Sequence, residues 1–395
     1  MEVIMVNLNL LKQSIPVAPL KIAALRGCTE MADTVNKQLV SFRKELRSKN
    51  NNVLQWPGYF EDSYLIECDC PRFGTGEGKG FIRDSVRGTD LYIMCDVTNF
   101  SIAYTVCGYE NHMSPDDHFQ DLKRIISAAT GKAHRINVIM PFLYESRQHK
   151  RNKRESLDCA LGLKELADMG VANIITFDAH DPRVQNAIPL KGFDNYMPTY
   201  QFLQALLSSV PDLKLDNEHL MIISPDEGAM SRAVYFSNVL EVDMGMFYKR
   251  RDYSTIINGK NPIVAHEFLG DSVEGKDAII IDDMISSGES MLDVAKQIKE
   301  RGANRVLICT TFGLFTEGLD KFDEYYEKGY IYKVITTDLN YRVPELLSRP
   351  YYECALMGKY LASIIDILNH DVSVEKVRST TLKINQLLQK TGKAK

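Results

Sequence analysis

Short apolar runs alternate along the chain with stretches in which apolar residues recur at i, i+3 and i+4. The runs at 91–95, 136–140, 174–177, 221–224, 278–281, 306–309 and 334–335 predict buried strands, and the periodic stretches at 116–129, 157–169, 201–209, 229–239 and 289–301 predict amphipathic helices. Strands that are apolar at nearly every position, alternating with helices, predict βαβ units, so the fold class is α/β with largely parallel sheets. Gly170 and Gly302 stand just past two of the helical patterns, where a left-handed residue closes a helix. Near the middle, the Gly-, Pro- and Asn-bearing stretch 189–198 interrupts the rhythm and leaves several βα units on either side. Two domains are therefore expected, 1–198 and 199–351, with the boundary near Pro198. A last helical pattern covers 352–368, and from about Asp371 the chain turns polar and Lys-ended, which predicts a polar tail over 371–395.

A length of 395 residues leaves room for two domains with cores of their own. Lys and Arg number 47 against 52 Asp and Glu, a net charge of −5, so no basic excess points to nucleic acid. The densest basic runs, 147–154 and 249–251, are short enough to be local anion sites. The N-terminal stretch carries Asn7, Asn9, Lys12 and Gln13, with no positive leader region and no uninterrupted run of ~18 apolar residues, so no membrane contact and a cytoplasmic location are expected. Eight cysteines are dispersed without a C-x-x-C pair; the nearest two, Cys68 and Cys70, read as thiols on one face of a short strand in a reducing compartment.

The most specific pattern is Ala278-Ile-Ile-Ile-Asp-Asp-Met-Ile-Ser-Ser-Gly-Glu-Ser290, an apolar strand, two acids at its carboxyl end, then a small-residue loop opening a helix. Ligands of open α/β sheets bind beyond the carboxyl ends of strands, and a Ser/Gly loop at a helix N-terminus offers N–H groups and a favourable dipole to a phosphate. Asp282 and Asp283 would accept hydrogen bonds from a vicinal diol, while Ser286, Ser287 and Ser290 would donate to phosphate oxygens, the signature of a phosphorylated sugar. The plainer alternative is a helix-capping turn after a core strand.

Met221-Ile-Ile-Ser-Pro-Asp-Glu-Gly-Ala-Met-Ser-Arg-Ala233 repeats that build. It sets Asp226 at a strand tip, where a carboxylate holds magnesium directly or through water, and Arg232 one turn into the helix, within reach of a phosphate. In Ile174-Ile-Thr-Phe-Asp-Ala-His-Asp-Pro-Arg183, Asp178 and His180 follow a strand two residues apart, a spacing that suits a metal or a phosphate. Arg147 and Gln148 open a basic loop after another strand, and Lys249-Arg-Arg251, read as following a strand, would form a mobile arm bringing cations to developing charge. Gly74-Thr-Gly-Glu-Gly-Lys-Gly80 is not a Walker A loop, because the first glycine position is Phe73 and no Ser or Thr follows Lys79; it reads as a turn.

These motifs, in order and spacing, resemble the ribose-phosphate pyrophosphokinases. The likeness runs from about Phe73 to Tyr360 through Phe73-Gly-Thr-Gly-Glu77, Ser85-Val-Arg-Gly88, Asp117-His118, Met140-Pro-Phe-Leu-Tyr-Glu-Ser-Arg-Gln148 leading to Arg154-Glu155, Asp178-Ala-His180, Ser224-Pro-Asp-Glu-Gly228, Lys249-Arg-Arg251 and Ile281-Asp-Asp-Met284. The resemblance implies two phosphoribosyltransferase-type domains, with the active site between them and partly supplied by a neighbouring subunit, and oligomers, often dimers assembled into a hexamer. It also implies that a C-terminal helix at about 352–370 packs back onto the first domain. The implied reaction is attack of the anomeric hydroxyl of ribose 5-phosphate on the β-phosphorus of Mg-ATP, giving phosphoribosyl pyrophosphate and AMP. By position, Phe73, Thr75 and Glu77 fall at the adenine site and Arg147 and Gln148 at the rest of ATP. His180 and Asp226 hold Mg2+ or its waters, with His180 also counted among the catalytic groups. Lys249 and Arg251 fall on the catalytic cations, and Asp282, Asp283, Ser286, Ser287, Gly288 and Ser290 on the ribose 5-phosphate site.

Several positions depart from the family pattern. Its usual Asp-Thr-Gly-Gly-Thr loop is Ser286-Ser-Gly-Glu-Ser290, which sets Glu289 near a phosphate; His149 follows Arg147-Gln148 where an Asp is usual. Two other functions are compatible with the same elements. A catalytically silent regulatory subunit would keep the fold, and a phosphoribosyltransferase would share the Asp282-Asp283 loop but need one such domain and no ATP motif.

Overall fold

The computed structural model describes residues 14–49, 58–251, 263–373 and 380–390. They form two compact units. The first takes in the chain through Met197 with Asp338–Tyr341 and the stretch from Leu356, and the second Pro198–Thr337, Arg342–Ala355 and the stretch from Thr380.

The first unit contains β1 (Leu20–Ala24), β2 (Leu65–Ile66), β3 (Cys68–Asp69), β4 (Phe81–Ile82), β5 (Asp90–Met94), β6 (Ala103–Val106), β7 (Tyr109–His112), β8 (Arg135–Ile139), β9 (Asn173–Phe177) and β10 (Gly192–Tyr196). Six of them build a sheet in the order β10-β9-β8-β5-β1-β2, with every neighbouring pair parallel, while β3 pairs with β4 and β6 with β7 as small antiparallel ribbons. All five residues of β5 are buried, as a central strand covered on both faces requires. The Pro115–Ala129 helix opens with a capping box, Ser114 Oγ accepting from the Asp117 amide and the Asp117 carboxylate accepting from the Ser114 amide, with proline in the first turn. Its Leu122, Ile125 and Ile126 join Leu91, Ile93 and Val138 of the sheet in one core. The Gly358–Asn369 helix belongs to this unit too and packs closely on the Thr29–Lys49 helix, since a Cβ at Gly358 would lie 2.5 Å from Thr34 Cγ2. Between these two helices the fully buried Arg43 and Asp366 form an ion pair of 2.8 Å.

The second unit contains β11 (Leu220–Ser224), β12 (Met244–Arg251), β13 (Ile263–Leu269), β14 (Asp277–Ile285), β15 (Val306–Gly313), β16 (Lys333–Thr337) and β17 (Tyr352–Ala355), in the order β13-β12-β11-β14-β15-β16-β17. Only the β12–β13 pair is antiparallel. Successive β14 side chains point to opposite faces: Ile280 shares a core with Leu292 and Phe322, and Ile279, on the other side, shares one with Leu206, Phe236 and Ile384. The α/β class with largely parallel sheets holds for both units.

Several local expectations change. Tyr352–Ala355 is an edge strand on β16 and the helix begins only at Gly358, because pairing at the sheet edge outweighs a helical apolar spacing that a short run cannot distinguish from a strand. The expected polar tail contains a helix, Thr380–Lys390, whose fully buried Ile384, with Leu387 and Leu388, lies in the second core. Lys249–Arg251 end β12 rather than follow it, paired antiparallel with β13. Within the interrupting stretch, Gly192–Tyr196 forms β10, an edge strand with one neighbour and hence few apolar residues. Among the described residues no helix is long and apolar enough to cross a membrane.

Candidate active site

In the second unit, β11 and β14 are neighbours in the sheet, so the segments leaving their carboxyl ends meet. β14 runs on to Ile285, which puts Asp282 and Asp283 inside the strand rather than beyond it. Asp283 is buried and its Oδ2 lies 3.9 Å from the Arg232 guanidinium. The Asp282 carboxylate accepts from the Asp283 amide at 2.8 Å. Burial first, then the adjoining Asp283 and the charge of Asp226, push the Asp282 carboxyl well above the usual carboxylate range. The charges of Asp283 and Asp226 thus bear on Asp282 from both neighbouring segments.

Asp226 also caps its own turn, Oδ1 accepting from the amides of Gly228 at 2.9 Å and Ala229 at 3.3 Å. Arg232, expected to reach a phosphate, is instead buried against Asp283 and donates to the Gly228 carbonyl at 3.4 Å. From one turn into its helix the side chain reaches back to the turn ahead of it and sets a positive charge beside Asp283.

The loop after β14 suits an anion. Gly288 is left-handed at φ +83° and caps the Glu289–Glu300 helix, and a Cβ there would lie 2.4 Å from Phe322 Cζ, so this turn requires glycine. Ser287 Oγ accepts weakly from the Glu289 amide at 3.4 Å, and no side chain caps the helix. Glu289 itself is exposed. Ser286, Ser287, Gly288 and Ser290 are thereby brought together around the first-turn amides.

In the first unit, β9 is followed by Asp178, a buried non-glycine residue at φ +41°, held there because its amide donates to the Tyr196 carbonyl at 2.9 Å and the Ala179 amide to Asn195 Oδ1 at 3.0 Å. His180 follows, half-buried, with its ring centroid 5.3 Å from that of His149. His149 Nε2 lies 3.6 Å from Asp181 Oδ2. Burial lowers the His149 pKa, partly offset by Asp181, whose own carboxyl is held far below the usual range by hydrogen bonds from Arg183. Arg147 is exposed, while the Gln148 side chain donates to the Ser156 carbonyl at 2.8 Å, bracing the basic loop.

Phe73, Thr75 and Glu77 are exposed on one tight loop, with the Phe73 amide donating to the Glu77 carbonyl at 2.8 Å and Thr75 Oγ1 to Glu77 Oε2 at 3.0 Å. The side chains of Lys249 and Arg251 lie outside the described ones, as does the segment 252–262 of the expected arm. Among the described residues no group of three or more His, Cys, Asp or Glu side chains is arranged to hold a metal. A lone carboxylate such as Asp226 suits an ion that keeps most of its waters and arrives with phosphates, as hard divalent cations do. In the sequence His149 stands out only as a departure from the family pattern; its contact with His180 joins segments far apart in the chain, a pairing no spacing rule reaches.

A family model described as the N-terminal domain of ribose phosphate pyrophosphokinase matches residues 20–170, and one described as a phosphoribosyl transferase domain matches 199–347. The ribose-phosphate pyrophosphokinase of Thermosipho africanus is 30% identical over 260 residues, covering 64% of this chain and 73% of that protein. That of Shewanella oneidensis is 28% identical over 312 residues, 78% and 89% of the two chains. The crystal structure of phosphoribosylpyrophosphate synthetase from Mycobacterium smegmatis has the same fold, with a TM-score of 0.70 at 21% identity over 89% of this chain and 99% of that one.

Proposed function

The chain belongs to the ribose-phosphate pyrophosphokinase family, and from that premise we infer that it transfers the diphosphoryl group of ATP to the anomeric hydroxyl of ribose 5-phosphate, yielding phosphoribosyl pyrophosphate and AMP. The observation that carries this reading is the pairing, in one chain, of the family's N-terminal domain with a sugar-phosphate loop whose left-handed Gly288 opens a helix just past the acids Asp282 and Asp283. A phosphoribosyltransferase has no use for the first of these, and a silent subunit none for the retained His180, Lys249 and Arg251.

Diphosphoryl transfer depends on positioning and charge neutralisation more than on covalent chemistry. Asp282 and Asp283 orient the ribose hydroxyls, and Ser286, Ser287, Gly288 and Ser290 hold the 5-phosphate on helix amides. Phe73, Thr75 and Glu77 receive the adenine, supplied to a neighbouring subunit, and Arg147 and Gln148 bind the rest of the nucleotide. Lys249 and Arg251 neutralise the charge that develops on the transferred group. His180 and Asp226 would each hold Mg2+ directly or through its waters, and the ion would supply screening of the phosphate charge. The working form is a cytoplasmic oligomer, dimers assembled into a hexamer.

The test is AMP formation from ATP and ribose 5-phosphate with no nucleobase present. Lys249→Ala and Arg251→Ala should each lower kcat by about 10³-fold with unchanged circular dichroism. Near-normal turnover in both would remove the role given to these cations.

A further inference from the structure

We propose that the β6–β7 hairpin completes the nucleobase site, with Tyr109 forming a second aromatic wall for the adenine of ATP beside Phe73. This rests on the reading of the Phe73–Glu77 loop as the adenine site and adds to it an element that neither the motifs nor the spacing includes.

The hairpin is a tight one. Val106 and Tyr109 are register partners across a two-residue turn of Cys107 at φ +50° and Gly108 at φ +87°, both left-handed, the conformation that matches strand twist. It is fastened to the adenine loop at its tip, where the Cys107 amide donates to the Gly74 carbonyl at 2.8 Å and Val106 packs on Gly76, leaving only 3.2 Å from Val106 Cγ2 to an added Cβ. It is fastened again at its base. Tyr104 donates to Asp117 at 2.9 Å, and the Arg72 guanidinium lies 4.9 Å from the centre of the Tyr104 ring while pairing with Asp121 at 2.8 Å. Arg72 directly precedes Phe73 and bridges to Gly78, so loop and hairpin share one anchor.

Strand alternation and cross-strand pairing put Tyr104, Val106 and Tyr109 on the same face of the ribbon. Tyr104 and Val106 are spent on holding that face to the body of the unit. Tyr109, at the end of the row and paired with the Val106 that packs on the loop, stays 79% exposed, and Phe73 on the loop is 56% exposed. Two large aromatic rings kept in water on a doubly anchored platform, with the Thr75–Glu77 hydrogen bond on the same loop, form a receptor for a flat heteroaromatic base. Stacking takes the rings out of water, and the polar pair reads the edge of the base.

Steady-state kinetics with ATP varied at saturating ribose 5-phosphate test this. Tyr109→Ala should raise the KM for ATP about five- to tenfold while kcat and the KM for ribose 5-phosphate change less than twofold, and Tyr109→Phe should restore the wild-type value. An unchanged KM for ATP in Tyr109→Ala overturns the inference. So does a Tyr109→Ala protein that changes oligomeric size with its ATP affinity intact, which would make the hairpin a contact between copies. Absence of AMP from the wild-type protein would instead overturn the reading of the site itself, and the two failures are told apart before any variant is made.

Discussion

The two units share the foot of their sheets and differ at the other end. In the first, Arg135 at the start of β8 grips Asp90 at the start of β5 with two hydrogen bonds of 2.7 Å; in the second, Arg305 just ahead of β15 grips Asp277 at the start of β14 at 3.0 and 2.7 Å. Each clamp spans adjacent parallel strands at their amino ends and is helped by an asparagine, Asn137 or Asn304. At the carboxyl ends the likeness stops. β14 passes through a left-handed glycine into a helix of 12 residues and offers amides to an anion. β9 passes through left-handed Asp178 into a short 3-10 turn, Pro182–Ala187, and presents imidazoles instead. In open α/β sheets ligands bind beyond the carboxyl ends of the strands, and here the residues that follow those ends differ in chemistry between the two units.

The comparison can be strained from either end. Arg135→Ala leaves Asp90, wholly shielded from water, without its cation and should destabilise the first unit by about 3–5 kcal/mol in urea titration. Arg305→Ala should cost less, because its partner Asp277 keeps some contact with water where Asp90 has none; equal losses would mean that the two clamps differ only in sequence. At the carboxyl end, Gly288→Ala forces a Cβ against Phe322 in a left-handed backbone, a strain of about 1–3 kcal/mol, and should raise the KM for ribose 5-phosphate by tenfold or more. Gly228→Ala meets only Asp226 Oδ1 at 3.2 Å without a left-handed φ, and should change that KM less than threefold.

The smallest effect is a difference in pH response. His370, in the first unit, is buried between Ser14 Oγ and Tyr59 OH, each at 2.9 Å, and burial aided by Arg43 lowers its pKa from 6.5 to about 4 against the opposing pull of Asp366. The unfolded chain takes up this proton below pH 6.5 and the folded one only near pH 4, so stability falls as pH drops through that window, by about 1 kcal/mol at pH 5.5. Hydrogen exchange at pH 5.5 and 7.5 should show the loss in the first unit, and His370→Gln should remove it.

The strands and helices that carry the sites were legible because their apolar periods are long and their loops hold small or acidic residues at fixed offsets, as at Asp282 to Ser290. What stayed hidden joins residues remote in the chain. Nothing near Arg43 announces Asp366, and nothing near His149 announces His180. The Tyr352–Ala355 strand exists only because β16 is there to pair with, and the Thr380–Lys390 helix is polar except for the few residues that find the second core. The hairpin did leave a local mark, Cys107-Gly108 between short alternating runs, of the kind that encodes a two-residue turn.

The most direct measurement follows a radioactive label placed on the β-phosphate of ATP through one turnover with ribose 5-phosphate and Mg2+. Diphosphoryl transfer predicts that the label leaves with the sugar as phosphoribosyl pyrophosphate while unlabelled AMP appears in equal amount. Label retained in ADP, with a singly phosphorylated transfer product or none, would contradict the account.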